Sequence, residues 1–122
     1  MTDSSHILVV DDNQAAADAL VRLMRALGSS AIAVYGPHEA IEHARKSVVQ
    51  LAFVDIGMPD MDGHALIRIL RNEGFEGPAF ALSGYGGEDD RERAAEAGFT
   101  GHLTKPASMK DIKEVLDEYA LA

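Results

Sequence analysis

Five short runs of aliphatic, β-branched and aromatic residues, at 6–10, 31–35, 51–54, 79–82 and 100–104, alternate with longer segments of helical spacing. No other feature limits the fold as much. The runs are almost continuously apolar, which suits strands buried on both faces of a parallel sheet. Between them, Ala16, Leu20, Leu23 and Leu27 fall on one helical face, and Gly28 is placed to end that helix as its C′ residue. Ala40, Ile41, Ala44 and Val48 mark a second helix after the Gly36-Pro37 turn, and Leu66, Ile67 and Leu70 a third that stops near Gly74. The fourth helix, roughly 88–97, opens with Glu88-Asp89-Asp90, which complements the helix dipole, and ends at Gly98. Ile112, Val115, Leu116 and Tyr119 mark the fifth. Crossovers between parallel strands are right-handed almost without exception, so five such β-α units must cover both faces of the sheet with helices. The expected class is α/β, a doubly wound parallel sheet.

The chain has 122 residues and neither a Pro/Gly/Ser-rich linker nor an internal repeat, so a single domain over 1–122 is expected. Its net charge is -9, and Arg22, Arg25, Arg45, Lys46, Arg68 and Arg71 are scattered. Nucleic acid is therefore a poor partner, because binding it needs clustered cations that displace phosphate counterions. An anionic membrane is a poor partner for the same reason, whereas metal cations suit the balance. No apolar run approaches the ~20 residues that span a bilayer. Residues 1–5 lack the basic and apolar regions of a signal peptide, and a cytoplasmic location is expected. Without Cys, neither a disulfide framework nor a thiolate metal site can form.

Ligand sites in open α/β sheets lie at the carboxyl ends of the strands. The first run ends in Asp11-Asp12, the third in Asp55, the fourth in Ser83 and the fifth in Lys105-Pro106; the second ends in uncharged Tyr35 and Gly36. Adjacent carboxylates repel by ~4 kcal/mol at 4 Å and an effective dielectric near 20, so such a pair asks for a positive partner. Three aspartates are the hard oxygen donors that Mg²⁺ prefers, and Mg²⁺ in turn binds phosphate oxygens. Three carboxylates balance one Mg²⁺ plus the Lys105 ammonium. An acyl phosphate carrying roughly -2 would leave a small negative excess, which hydrogen bonds from Ser83, Lys105 and backbone N–H groups can absorb.

Together "VVDDN" (9–13), "DIGMPDMDG" (55–63), "LSG" (82–84) and "LTKP" (103–106) closely resemble the receiver domain of bacterial response regulators, over essentially the whole chain. Four motifs in order, each at a strand end, make the resemblance specific. The stretch at 82–99 also resembles receivers associated with hybrid sensor kinases. The resemblance implies a flavodoxin-like (βα)5 fold with strand order 2-1-3-4-5. It implies that Asp55 accepts a phosphoryl group, that Asp12 ligates Mg²⁺ (or Mn²⁺) directly and Asp11 through water, and that the Gly57 backbone carbonyl is a further ligand. Ser83 then matches the switch hydroxyl, Lys105 the lysine that follows the phosphoryl group, and Pro106 a proline preceded by a cis peptide bond. The implied partners are a histidine kinase or histidine phosphotransfer protein and a downstream protein target, which would read a changed surface around helix four, strand five and helix five. The implied function is that of a phosphorylation switch, not of an enzyme.

The residues also carry plainer readings. Asp11-Asp12 could cap the first helix, and Asp62 is read as the cap of the third. Ser83 alone could be an ordinary loop serine. His6, His38, His43 and His64 show no metal spacing and are read as surface or packing residues. Tyr85 either packs across its loop or gates the site, and Gly57 either permits a turn or leaves the site open to water. His102 stands where the family usually has an aromatic; either it is a half-exposed strand residue, or its ring fills the space that Ser83 vacates, a move that protonation would oppose. Three rivals are weaker. A phosphohydrolase wants a second acid/base aspartate where Gly57 stands, a flavodoxin-type module wants a phosphate-cradling loop after strand one, and a pseudo-receiver would have lost a site residue.

Overall fold

The computed structural model describes residues 6–84 and 88–119. Strands β1 (His6–Val10), β2 (Ala31–Val34), β3 (Val49–Asp55), β4 (Ala79–Ser83) and β5 (Gly101–Thr104) alternate with helices α1 (Gln14–Ala26), α2 (Pro37–Lys46), α3 (Gly63–Asn72), α4 (Glu88–Ala97) and α5 (Met109–Tyr119). All strand pairs are parallel, in the order β2-β1-β3-β4-β5. This is the doubly wound, flavodoxin-like arrangement expected.

Successive side chains of a strand point to opposite faces, and the core accordingly divides in two. Ile7, Val9 and Phe53 meet Ala17, Val21 and Met24 of α1 and Ile112 and Leu116 of α5. Leu8, Val10 and Val54 meet Ala40 of α2, Leu66, Ile67 and Leu70 of α3, and Ala94 and Ala97 of α4. The central strands β1 and β4 are buried throughout, which is why their sequences carry no polar alternation.

Two helical expectations need correction. The buried stripe of α1 is Ala17, Val21 and Met24, while Leu20, Leu23 and Leu27 are half-buried at its flank and Ala16 is exposed. The helix has two apolar stripes, and only one faces the sheet. Val48 does not belong to α2. The helix ends at Lys46 because Ser47 is extended (φ -138°, ψ 157°), and Val48 stands 62% exposed in the turn leading to β3. Asn13, not the aspartate pair, caps α1: its side chain accepts from the Ala16 N–H. Asp62 caps α3 as expected, accepting from the Ala65 N–H at 2.9 Å. Gly28, Gly74 and Gly98 follow their helices with positive φ, the left-handed conformation that a C′ glycine adopts without strain.

Two arginines fasten margins of the fold. At the sheet edge, Arg25 donates from Nε and Nη2 to the Ala31 carbonyl of β2. Arg71 of α3 donates to the Gly98 carbonyl from Nε and Nη2, at 3.1 and 2.8 Å, and thereby ties α3 to the junction of α4 and β5.

Register decides what meets at the carboxyl edge. Val10 pairs with Val54, so Asp11 stands level with Asp55. Asp55 pairs with Leu82, so Ser83 lies one residue beyond, and Ser83 pairs with Thr104, so Lys105 lies one further still.

Candidate functional site

The residues singled out at the strand ends come together. Asp11 and Asp55 are buried, and Asp12 is exposed at the rim. One carboxylate oxygen from each lies within 4.8 Å of the others. The Lys105 ammonium bridges two of them, 3.1 Å from Asp11 Oδ2 and 3.2 Å from Asp55 Oδ2. The remaining oxygens accept backbone N–H groups, Asp11 Oδ1 from Asn13 at 3.0 Å and Asp55 Oδ1 from Gly57 at 2.9 Å. Ser83 is buried at the end of β4, and its carbonyl accepts from the Lys105 N–H at 2.6 Å, which extends the β4–β5 ladder to the site itself. The Lys105–Pro106 peptide bond is cis.

The electrostatics follow from burial. Burial above all holds the Asp11 carboxyl above the usual carboxylate range; the Asn13 N–H and Lys105 pull it down, while the charge of Asp55 adds to the rise. For Lys105, burial pulls downward, but Asp11 and Asp55 outweigh it and leave the ammonium held more tightly than usual. With three carboxylates facing one ammonium, the pocket is short of two positive charges, the charge of one divalent cation. Octahedral ligation at 2.0–2.1 Å places neighbouring donors about 3 Å apart and opposite donors about 4.2 Å apart, so the spread of the three carboxylates suits one hard cation.

Two glycines shape the loop after β3. A Cβ on Gly63 would stand 2.7 Å from Ile56 Cα and 2.9 Å from the Asp55 carbonyl, both backbone atoms. A Cβ on Gly57 would meet only Asp55 Oδ1, at 3.6 Å. Gly63→Ala should therefore destabilise the fold by ~1–3 kcal/mol, since backbone cannot yield as a side-chain tip does. Gly57→Ala should stay within about 0.5 kcal/mol. Urea midpoints of the two variants measure the difference, and equal midpoints would contradict it.

His102 lies half-buried on β5 opposite Ala81, in a cleft of about 320 Å³ shared with Arg91, Ala94 and Ala95 of α4 and with Phe99. His64 packs edge-on against Phe99, and His38 is exposed, as packing and surface residues should be. Tyr85 lies outside the described residues. Two features escaped sequence reasoning. One is a groove of about 490 Å³ beside Lys105, walled by Ala16, Ala19, Leu20 and Leu23 of α1 and by Pro106 and Ala107. The apolar residues of α1 hinted at it only as a helix with more apolar surface than one stripe needs. The other is a contact between His6 and His43, which no spacing announces.

A family model described as the response regulator receiver domain matches residues 7–117. The chain is a response regulator receiver domain. As such it belongs to two-component signalling. Over 118 residues the receiver is 34% identical to a 14.6 kDa protein of Leptolyngbya boryana, covering 95% of this chain and 90% of that one. It is 28% identical to the sensor histidine kinase RcsC of Escherichia coli K12, covering 97% of this chain but only 12% of the kinase. Among solved structures, the fold matches chemotaxis protein CheY4 of Vibrio cholerae with a TM-score of 0.87 at 20% identity, covering 97% of this chain and 99% of that one. It matches a chain of the co-crystal structure of the Saccharomyces cerevisiae histidine phosphotransfer protein Ypd1 and the Ssk1 receiver domain equally well, at 0.87 and 19%, covering 97% and 89%. At such identities the structural likeness speaks for the fold. Among the described residues no helix is long and apolar enough to cross a membrane.

Proposed function

We propose that this receiver is a phosphorylation switch in which Asp55 takes a phosphoryl group from the phosphohistidine of a histidine kinase or histidine phosphotransfer protein. The observation that carries the reading is the Lys105 ammonium held between Asp11 and Asp55, at 3.1 and 3.2 Å, inside a cluster of three carboxylates. Asp12 and Asp55, with the Gly57 backbone carbonyl, would hold Mg²⁺ (or Mn²⁺) directly, and Asp11 through water. The ion, when bound, supplies positive charge beside the equatorial phosphoryl oxygens, where transfer concentrates negative charge.

The chain's own groups do the rest. A carboxylate oxygen of Asp55 attacks phosphorus in line. The P–N bond to the partner's imidazole breaks as the P–O bond forms, and the imidazole leaves with the electron pair. Lys105 is already drawn toward Asp55 and follows the new charge from the carboxylate to the phosphoryl oxygens. Ser83, at the end of the adjacent strand, donates its hydroxyl to the same group. Water later attacks phosphorus, releases inorganic phosphate and restores Asp55. No free substrate is turned over repeatedly, so the reading is of a switch and not of an enzyme.

Output follows from a shift between two conformations. The candidate surface is formed by α4, β5 and α5, with the His102 ring moving further into its cleft as Ser83 closes on the phosphoryl group. A downstream protein would read that surface. Nucleic acid and membrane remain poor partners on charge.

The groove along α1 opens beside Lys105 and is apolar, so it suits a helical face of the phosphodonor protein. The test is transfer from a phosphorylated histidine phosphotransfer domain, compared with labelling by acetyl phosphate. Phosphate should leave the donor histidine and appear on this chain. Leu20→Glu should slow that transfer by about tenfold, equivalent to ~1.4 kcal/mol at the interface, and leave acetyl phosphate labelling unchanged. Transfer that never occurs from any phosphohistidine donor would overturn the reading; equal slowing with both donors would place Leu20 in the fold instead of the interface.

A further inference from the structure

At the amino end of the sheet, far from Asp55, His6 of β1 and His43 of α2 bring their Nε2 atoms to 2.6 Å. The rings meet edge-on, with centroids 4.8 Å apart and planes at 67°. A contact this short between ring nitrogens is a hydrogen bond, in which one imidazole donates and the other accepts. It joins residues 37 apart in the chain. The pair is too close to share a metal ion, because imidazole nitrogens at 2.0–2.1 Å from a tetrahedral ion stand about 3.3 Å apart.

We propose that the His6–His43 contact is a proton-sensitive latch between β1 and α2. It holds while the two facing nitrogens share one proton, and it opens when each carries its own. With both facing nitrogens protonated no acceptor is left, and two cations confront each other at hydrogen-bond distance. The two rings are not equally free to part. His6 is only 5% exposed and is the first residue of β1, paired with Val49 of β3. His43 is half-buried in the last turn of α2, a helix of ten residues, so it is the ring that swings away.

Among the described residues, charged groups around the pair are engaged elsewhere. On α2 itself, Glu42 is paired with Lys46 at 3.3 Å, Arg45 with Glu73, the residue that ends α3, at 2.9 Å, and Glu39 accepts from the Tyr35 N–H. From α3, Arg71 is spent on the carbonyls of Phe75, Gly77 and Gly98, Arg68 is exposed, and His64 lies at the opposite end of its helix. β1 and β3 contribute only uncharged residues beside His6. Burial first, and then His6, hold His43 below the ordinary imidazole value, although the negative end of α2 favours a cation. A lowered imidazole means that the unfolded chain binds the proton more readily. The contact's contribution is therefore complete above about pH 6.5 and is lost as the pH falls below it toward the lower folded value.

β1 runs about 16 Å from His6 to Asp11. Acid should therefore loosen the end of α2 without dismantling the acidic cluster. The test is to follow the imidazole signals of the whole chain by heteronuclear NMR between pH 8 and pH 5, together with amide exchange in α2. His43 should titrate below the ordinary imidazole value. Exchange at the end of α2, corrected for its intrinsic pH dependence, should rise about tenfold relative to β4 as His43 titrates. His43→Leu should abolish that dependence. His43→Gln should keep α2 closed at acid pH, since its amide can donate to His6 or accept from it. Titration of His43 at or above the ordinary imidazole value, pH-independent exchange in the wild type, or an unchanged dependence in either variant would overturn the latch.

Discussion

Asp55→Asn should abolish phosphorylation of this receiver, both from a phosphohistidine donor and from acetyl phosphate with Mg²⁺. The substitution keeps the size of the side chain and leaves an oxygen to accept the Gly57 N–H, a bond of 2.9 Å in the wild type. It removes the carboxylate proposed as the nucleophile and one of the two anions that hold Lys105. Labelling should fall to background while the thermal melt stays cooperative, which separates lost chemistry from lost structure. In the wild type the label should be labile to hydroxylamine, as an acyl phosphate is and a serine phosphate is not. Undiminished labelling of Asp55→Asn, or stable phosphate recovered on Ser83, would remove Asp55 from the role proposed for it.

The second large effect concerns the cation. An ion that binds only the folded state stabilises it by RT ln(1 + [L]/Kd), about 2.7 kcal/mol at a concentration of 100 Kd. Wild-type melting should therefore rise with Mg²⁺. Asp12→Ala should lose most of that rise, because Asp12 is the exposed carboxylate that completes the cluster. Asp11→Asn should act in two directions. Without metal it should raise the melting temperature by a few degrees, because it relieves a buried charge that faces a second carboxylate; with Mg²⁺ its advantage should shrink or reverse. The direction for Asp11 fixes the pH dependence as well. Its folded carboxyl binds the proton more tightly than in the unfolded chain. Metal-free stability should therefore fall as the pH rises from the ordinary carboxylate range through the Asp11 titration. Melts at several pH values, with and without Mg²⁺, read all of this. A wild type blind to Mg²⁺, or an Asp12→Ala variant that responds like the wild type, would argue against the proposed ligands.

Strand ends were the most legible part of this chain, for a physical reason. In a parallel sheet every strand points the same way, so residues that end successive strands must gather on one edge whatever the strand order. Asp11, Asp55, Ser83 and Lys105 could thus be grouped before any coordinates, and the register then places them within a residue or two of one another. Strand order came from the resemblance, not from pattern. Helix α1 shows what periodicity leaves open. With one apolar stripe at Ala17, Val21 and Met24 and another at Leu20 and Leu23, spacing alone does not say which one the sheet covers. Val48 was misplaced because an apolar residue at helical spacing looks the same whether the helix continues or has just ended; the extended Ser47 decides it. The His6–His43 contact was illegible for a different reason. It joins one residue from each of two elements, and neither ring belongs to a pattern.

The Arg25 fork on Ala31 bears on how this protein behaves in company. β2 is a margin of the sheet. The carbonyls of Ser30 and Val34 turn inward to β1, where they accept from Ile7 and Asp11, while the Ala31 carbonyl turns away from the sheet. An outward row of bare backbone groups is a template on which another chain can lay a strand. Two N–H groups of Arg25 already occupy the first position of that row. A second chain laid along this margin would have to displace that guanidinium before its first backbone group could pair with β2.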